Sequence, residues 1–169
     1  WRETGDPMTN HDFYYAYSDA EGATWMTGTG EPAGIRGDTP MALDTPGLRF
    51  RRVDMHRGVT NSTTQITDSR NRVHIVNMHL PDDVPSQLNW EHTRQLSRYV
   101  HYWRDADGTW RDTVIPFIGT RPQLFADSAD NLYLVTTGDR YHPEDRDLVI
   151  LAADAADGWS EWRETCRVK

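Results

Sequence analysis

The sequence predicts an all-β fold built from β-propeller blades, each with four antiparallel strands. Three observations favour this fold. Short segments rich in aromatic and β-branched residues dominate the 169-residue chain. A sequence motif around Asp68 is repeated around Asp127, and a turn with glycine and tryptophan occurs three times. Repeats of roughly 40 to 50 residues with about four strands each are typical of propellers.

Strand signals occur along most of the chain. Five segments combine large or β-branched side chains with flanking Asp, Asn, Gly or Pro, which is the pattern of short strands. They are residues 12–18, 72–79, 99–103, 131–138 and 147–153. The predicted secondary structure is therefore mostly β.

Two segments depart from the strand pattern. Residues 85–100 place Leu88, Glu91, His92 and Gln95 on one face of a helix, which predicts one or two helical turns. The stretch from Gly28 to Pro46 is rich in glycine and proline, and predicts a long loop without a strand.

Two longer segments repeat each other. Residues 65–76 and 123–135 both contain an apolar strand, an Asp-Ser pair, a polar turn and a second strand. We expect Asp68 and Asp127 to have structural roles in these matching turns. After each repeat, and also near the start of the chain, a turn ends in a tryptophan. We expect these tryptophans, Trp25, Trp110 and Trp162, to pack against their own blades.

The turn at residues 18–25 has two interpretations, a metal-binding loop and a hairpin turn. A calcium loop of the EF-hand type needs oxygen ligands at alternate positions, where this chain has Ala20 and Trp25. A hairpin needs short polar side chains, a glycine with positive φ and a large aromatic residue that packs on the sheet. All three copies provide these, so the glycines Gly22, Gly108 and Gly158 are predicted to be structural.

Composition limits the classes of partner. The formal net charge of −8 argues against a nucleic acid held by phosphate neutralisation, and no apolar run is long enough to span a membrane. Local arginine clusters still allow an anionic ligand. The chain begins with Trp1 and lacks a secretion signal. We expect a processed chain or a fragment, whose parent protein is secreted or periplasmic.

The turn residues resemble the Asp-box of sialidase-like β-propellers, Ser-x-Asp-x-Gly-x-Thr-Trp. The matching residues in the first copy are Ser18, Gly22, Thr24 and Trp25. Ala20 replaces the aspartate, and Asp19 lies one place early. The second copy, residues 107–110, keeps Asp-Gly-Thr-Trp. This resemblance implies a propeller but says little about function, because Asp-box residues build the turn away from the ligand-binding funnel.

The order of these sequence motifs along the chain resembles the order in the BNR-repeat proteins. This group includes seven-bladed propeller polysaccharide lyases of the ulvan lyase and rhamnose-glucuronate lyase type. A seven-bladed ring needs about 350 residues. The resemblance thus implies that residues 1–169 form a partial propeller of three to four blades. We expect the remaining blades, from the same or another chain, to complete the ring, because open blades expose strand edges.

The same resemblance implies a carbohydrate-active protein, most specifically a lyase that cleaves a uronate-containing glycan by β-elimination. That reaction neutralises the carboxylate, removes the C5 proton and protonates the leaving oxygen. Arginine suits the first role, and His or Tyr suits the others. The expected partner is an acidic polysaccharide or oligosaccharide. Two alternatives remain open: a non-catalytic propeller that binds glycan or protein, and a sialidase-like hydrolase.

By resemblance, Arg2 matches the arginine that faces the uronate in these lyases, and it is the predicted catalytic residue. The alternative is a surface arginine beside an exposed tryptophan. In the family order, a catalytic histidine pair and a tyrosine precede this arginine, and they are absent from this sequence.

The predicted substrate-binding residues are His11, His56, Arg57, Asn61, His79 and Arg121. His56, Arg57 and Asn61 precede a strand near Thr64, where blade-entry residues face the funnel. A solvated loop with an Asn turn is the alternative interpretation. His79 ends a strand, and Arg121 opens the next repeat. His11 has the alternative role of a turn neighbour of Asp12.

No cofactor or metal is predicted, and a structural calcium or zinc ion is the alternative. His74 and His79 are an odd number of positions apart in one strand, so their side chains point to opposite faces and cannot share one ion. A zinc site would combine one of them with the single cysteine, Cys166. A buried, unreactive thiol is the other interpretation.

Overall fold

A computed structural model describes residues 1–138 and 147–169. Within these ranges almost all regular structure is β. The strands are β1 (Phe13–Tyr14), β2 (Ala16–Tyr17), β3 (Thr24–Thr27), β4 (Pro32–Ile35), β5 (Arg49–Arg51), β6 (Thr64–Thr67), β7 (Val73–His79), β8 (Arg98–Arg104), β9 (Trp110–Ile115), β10 (Thr120–Ala126), β11 (Leu132–Thr137), β12 (Leu148–Ala153) and β13 (Arg163–Val168). One α-helix, α1 (Trp90–Leu96), and short 3-10 turns at Pro7–Thr9 and Ala155–Asp157 complete the fold.

Two sheets have the form of complete propeller blades. One has the strand order β6-β7-β8-β9 and the other β10-β11-β12-β13, and all neighbouring strands in them are antiparallel. A smaller sheet joins β2, β3 and β4, and β5 pairs with β1. The all-β prediction with four-stranded blades is confirmed.

The turns between the first two strands of each blade are built around an aspartate. Asp68 accepts hydrogen bonds from the backbone N–H groups of Arg70 and Arg72, both at 2.9 Å. Asp127 does the same for Ala129 at 2.8 Å and Asn131 at 3.0 Å. Short side chains that bond nearby backbone in this way define a tight turn. Both aspartates have the structural role predicted from the repeat.

The Asp-box-like turns are also local structures. Ser18 Oγ accepts hydrogen bonds from the backbone N–H groups of Ala20 and Gly22, at 3.2 and 2.9 Å. Asp107 Oδ1 accepts one from the Thr109 backbone at 2.8 Å. The three predicted glycines have φ of +76°, +84° and +60° at Gly22, Gly108 and Gly158, a region that glycine enters without a steric penalty. The hairpin interpretation therefore describes these residues better than a metal loop.

The largest apolar core lies between the two complete blades. Its buried members from the first blade are Val76, Met78, Tyr99, Trp103 and Ile115, and those from the second are Leu124, Leu132, Leu134, Val149, Leu151, Ala153 and Trp159. The blades are also joined by hydrogen bonds, since Asp130 accepts from the backbone N–H and the hydroxyl of Ser69 at 2.9 and 2.7 Å. Face-to-face packing of neighbouring sheets therefore defines the fold.

Two of the three predicted tryptophans contact more than their own blade. Trp25 lies over its own turn, where its Cζ2 is 3.7 Å from the position of a Cβ at Gly22. Trp110 packs against the buried cluster of its own blade, as expected, and also stacks on Phe50 of β5 with ring centroids 3.9 Å apart. Trp162 packs against the core that the two complete blades share, and its ring centroid lies 5.5 Å from that of His101 in the first complete blade. These two side chains therefore contact both their own blade and the preceding sheet.

Three smaller expectations can be compared with the structure. A short helix is confirmed at residues 90–96. The stretch Gly28–Pro46 is not entirely loop, because residues 32–35 pair with β3 as an edge strand, the position in a sheet that tolerates proline. Cys166 is exposed, so the expectation of a buried thiol is wrong. No helix among the described residues is long and apolar enough to cross a membrane.

Candidate functional site

The long connections between strands lie together at one end of the sheets. β7 ends at His79 and β8 begins at Arg98, and these two residues are paired in the sheet. β9 ends at Ile115, and β10 begins at Thr120. Because neighbouring strands alternate in direction, these ends lie opposite the turns that contain Asp68 and Gly108. We call this surface the loop face, formed by residues 1–12, 52–63, 79–97 and 115–121.

Arg2 and His11 occupy the first segment of the loop face. Arg2 is exposed, and its Nε donates a 2.8 Å hydrogen bond to the carbonyl of Thr4. His11 lies between two carboxylates, with Nε2 at 2.9 Å from Glu3 and Nδ1 at 3.2 Å from Asp12. It also lines a cleft of about 310 Å³ with Arg49 and Arg52. The roles of Arg2 and His11 towards a substrate stay predictions.

His56 and Asn61 lie beside that segment. The His56 backbone N–H donates to the carbonyl of Met8 at 2.8 Å, and Asn10 donates from Nδ2 to Val59 O at 2.7 Å and to Asn61 Oδ1 at 3.3 Å. His56 has a φ of +63°, an uncommon conformation for a residue with a Cβ. Asn10 was not predicted, yet it is a buried residue that connects these two segments.

Arg57 and His79 connect the same loop to the end of β7. The Arg57 guanidinium donates to the carbonyls of Leu80, at 3.2 Å, and Pro81. The structure thus brings five predicted residues into adjoining segments, and Arg57 links these segments to the residues that follow His79. The five are Arg2, His11, His56, Arg57 and Asn61. His79 itself is only 1% exposed, so its predicted contact with a substrate would have to occur through a cleft.

His79 forms a hydrogen-bonded pair with a residue that the sequence did not single out. Its Nδ1 donates to Leu80 O at 2.7 Å, so Nε2 is the acceptor for the hydroxyl of Tyr102 at 2.6 Å. Burial lowers the pKa of His79 to about 4 and raises the pKa of Tyr102. Near neutral pH the pair is therefore uncharged, with the tyrosine as donor and the histidine as acceptor.

A cleft of about 260 Å³ gives access to the pair. Arg51 lies above Tyr102 with its guanidinium carbon 6.0 Å from the ring centroid. Arg51 also forms an ion pair with Asp82, and its Nη1 is 3.9 Å from Asp112. These carboxylates hold the pKa of Arg51 above its ordinary value against the opposing effect of burial. The cleft is thus lined by charged side chains of both signs beside apolar residues such as Val100 and Val114.

The loop that carries His56, Arg57 and Asn61 packs closely against Thr93 of α1 at a glycine, Gly58. Gly58 has a φ of +71°, and a Cβ on it would lie 2.3 Å from Thr93 Cγ2. We expect Gly58→Ala to destabilise the protein by about 1–3 kcal/mol, because strained φ and overpacking act together. The midpoint of urea unfolding would measure this. Gly37→Ala is the matched control, because Gly37 also has positive φ but has open space around it. Equal losses in the two variants would show that the approach to Thr93 is unimportant.

Arg121 lies near the predicted residue Asn61, because it lines the same hollow as Thr60 and Ser62. It is exposed at the start of β10, with a φ of +51°, at a bulge between Thr120 and Gln123. It lines a small hollow with Arg94 of α1, which is 6% exposed. Sequence reasoning missed Arg94 because charge in a helix usually indicates a solvated face.

The described residues 1–138 and 147–169 contain no group of three or more His, Cys, Asp or Glu side chains placed to hold a metal ion. His74 and His79 do point to opposite faces: His74 contacts Trp159 of the second complete blade, at 4.5 Å between ring centroids, and His79 contacts Phe13 of β1 at 5.9 Å.

Comparisons with known proteins identify relatives by sequence and by fold. Residues 1–117 match the family described as "BNR repeat-containing family member". Among solved structures, the crystal structure of polysaccharide lyase Uly1 matches with a TM-score of 0.52 and 13% sequence identity, covering 96% of this chain and 32% of that chain. At this identity the likeness shows the fold alone, and this chain spans about a third of that lyase. No curated protein matches the sequence.

Proposed function

This chain belongs to the BNR repeat-containing family, and from that premise we propose that it is part of a carbohydrate-active propeller that cleaves a uronate-containing glycan by β-elimination. The main support for the proposal is that the loop face brings several long connections together. Connections far apart in the sequence meet there through Asn10, which bonds both Val59 and Asn61. The similar fold of a polysaccharide lyase supports the same reading.

The chemistry needs a cation for the uronate carboxylate and a group that moves protons. Arg2 is exposed at the edge of the loop face, and its guanidinium makes a hydrogen bond only through Nε among the described contacts. Two parallel N–H donors would therefore be free to grip a carboxylate. His11 and His56 are the nearby imidazole side chains, the group that most often transfers protons in enzymes.

A closed ring is part of this proposal, with other blades supplied by the same or another chain. In the two complete blades, the tryptophan of the Asp-box-like turn packs on the preceding sheet. Large apolar side chains are exposed on the outer sheets, including Ile35 at 45%, Phe125 at 53% and Val168 at 54%. Further blades would cover such side chains, because neighbouring sheets in this fold pack face to face.

The lyase proposal predicts a specific optical signal. β-Elimination leaves a conjugated unsaturated uronate that absorbs ultraviolet light, whereas hydrolysis does not. In the complete protein, Arg2→Lys should keep the charge but lose the bidentate grip, so turnover should fall by roughly tenfold or more while glycan affinity changes less. The measurement is the absorbance rise on a panel of uronate polysaccharides.

The control variant is Arg70→Gln, which removes an exposed arginine from a turn at the opposite end of the sheets. A rise in absorbance that Arg2→Lys leaves unchanged would remove Arg2 from the site. Glycan binding without any rise would favour the non-catalytic binding propeller, and reducing sugar released without absorbance would favour the sialidase-like hydrolase.

A further inference from the structure

Residues 28–48 interrupt the outer strand of the first sheet. In the first complete blade, β9 runs unbroken beside β8. The corresponding pairing in the first sheet is shared by β3, beside β2, and by β5, beside β1. A Cβ on Gly47 would lie 3.1 Å from Thr27 Oγ1, so the chain returns to the point where it left the strand. Long surface connections in a compact fold often carry function.

The inserted residues form one side of a pocket of about 550 Å³. Trp25 and Gly34 are paired between β3 and β4, and both line the pocket. A Cβ on Gly34 would lie 2.8 Å from Met41 Cγ and 3.0 Å from Thr39 O. Because side chains of paired residues lie on the same sheet face, residues 39–41 pass over the face that carries the Trp25 ring.

This arrangement gives Trp25 a different neighbour from the equivalent tryptophan of the next turn. Trp110 stacks on Phe50, which belongs to the preceding sheet. Beside Trp25 the sheet face is covered by residues 39–41 of the inserted segment, and the indole stays half-exposed. The insertion therefore leaves an aromatic ring at the side of an open pocket.

Backbone hydrogen bonds hold the loop at residues 35–41 in place. The Ile35 N–H donates to Thr39 O at 2.7 Å, and the Thr39 N–H donates back to Ile35 O at 3.1 Å. The Arg36 N–H donates to Ala23 O at 2.9 Å, which fixes the loop to the turn before β3. A loop that is ordered before its ligand arrives loses less conformational entropy on binding.

The loop presents one cationic and one anionic side chain to the pocket, Arg36 and Asp38. The Arg36 guanidinium has no hydrogen-bond or ion-pair partner among residues 1–138 and 147–169. Asp38 Oδ2 accepts from the Thr39 hydroxyl at 3.3 Å, and its other oxygen accepts nothing within the same ranges. Both side chains are exposed. Hydrogen-bond donors and acceptors thus remain available to a ligand.

These features fit a sugar unit. A pyranose ring has an apolar C–H face that packs on an indole, and hydroxyl groups that both donate and accept hydrogen bonds. The volume lies within the range of ligand pockets, about 300–1,000 Å³. A ligand held only by negative charge is disfavoured, because the Asp38 carboxylate would repel it.

We propose that the pocket between Trp25 and residues 35–41 is a second glycan-binding site, in which a sugar ring packs on Trp25 and its hydroxyl groups bond to Arg36 and Asp38. Gly22 lines this pocket, so the site lies at the turn end of the sheet, away from the loop face. It holds the glycan and takes no part in bond cleavage. The inference rests on the proposed function for the class of its ligand.

The test uses the complete protein labelled with fluorotryptophan, in which Trp25→Phe identifies the Trp25 signal by fluorine NMR. The probes are a glucuronate-containing tetrasaccharide and the same tetrasaccharide with its carboxyl groups reduced to alcohols. Both should shift the Trp25 signal with similar affinity, because hydroxyl groups are recognised. Arg36→Gln and Asp38→Ala should each weaken that affinity by roughly tenfold. Arg70→Gln, which changes an exposed arginine of another turn, should leave it unchanged.

A Trp25 signal that neither probe shifts would overturn the second site, and so would an affinity that Arg36→Gln and Asp38→Ala leave unchanged. The ultraviolet assay separates this failure from that of the proposed function. An unshifted Trp25 signal in a protein that still cleaves uronate polysaccharides would reject the second site alone. Shifts that depend on Arg36 and Asp38, in a protein that never produces the absorbance, would retain the second site and reject the lyase.

Discussion

Replacing Trp159 with alanine is expected to lower the free energy of unfolding by about 3–5 kcal/mol, the range for large aromatic side chains removed from a core. Trp159 is 2% exposed. Its Nε1 donates to Asp130 O at 2.9 Å, and the guanidinium carbon of Arg72 lies 4.5 Å from the centroid of its ring. Its ring also meets His74 edge to face. One side chain thus joins the two complete blades.

The midpoint of urea unfolding would measure the loss. The matched control is Trp25→Ala, which removes the same atoms from a half-exposed position over its own turn and should cost clearly less. A Trp159→Ala variant as stable as Trp25→Ala would show that packing between these blades contributes little to stability.

The sequence predicts Trp162 as the packing tryptophan of the third turn, and no local pattern indicates that Trp159 is the more deeply buried of the two. That turn contains the 3-10 segment Ala155–Asp157, and the positive φ of Trp159, +56°, points its ring into the core. The structure of each turn can be predicted from the sequence, because its aspartate bonds the backbone of residues two to four positions away and its glycine adopts a positive φ. The direction of a side chain between two blades depends on contacts from distant segments, which no local pattern reports.

The candidate site likewise contains residues whose roles depend on contacts from distant segments. Strand ends could be predicted from the repeat, and this placed His56, Arg57 and Asn61 on a common face. Asn10, Tyr102 and Arg94 were missed because their roles arise from burial. Asn10 joins loops separated by about fifty residues, and Arg94 looks like any surface arginine until Trp90 and Gly119 enclose it.

Lowering the pH is expected to destabilise the protein before its carboxylates titrate, because three histidines are buried without charge. His74 and His101 lie on the face towards the second complete blade, with His74 Nδ1 3.0 Å from His101 Nε2. Asp68 Oδ2 is 3.4 Å from His74 Nε2. Since His74 donates from Nε2 to that carboxylate, its Nδ1 accepts from His101. The remaining atom, His101 Nδ1, is a buried acceptor.

Burial lowers the pKa of each of these histidines. The pKa of His101 lies well below its ordinary value, with the neighbouring His74 adding to the effect. The pKa of His74 is lowered by burial although Asp68 opposes the shift. The pKa of His79 falls from 6.5 to about 4. In the unfolded chain these groups take up protons as the pH drops through about 6.5, whereas in the folded protein they remain neutral.

The sign of the pH dependence follows from proton uptake by the unfolded state. Stability is full above about pH 7 and decreases as the pH falls from 6.5 towards the folded-state pKa. For His79 alone, the shift to about 4 corresponds to about 3 kcal/mol in total, of which about 2 kcal/mol is lost between about pH 7.5 and about pH 5. His74 and His101 add to this loss in the same window.

Urea unfolding at a series of pH values would measure the effect, and His79→Leu isolates one contribution. This variant loses stability at neutral pH, because Tyr102 loses its acceptor, but its stability should decline with acid by about 2 kcal/mol less than that of the unmodified protein. His92→Gln, which changes an exposed histidine of α1, should keep the original decline. An identical acid slope in His79→Leu and the unmodified protein would mean that His79 is protonated in the folded state, contrary to its burial between Leu80 O and Tyr102.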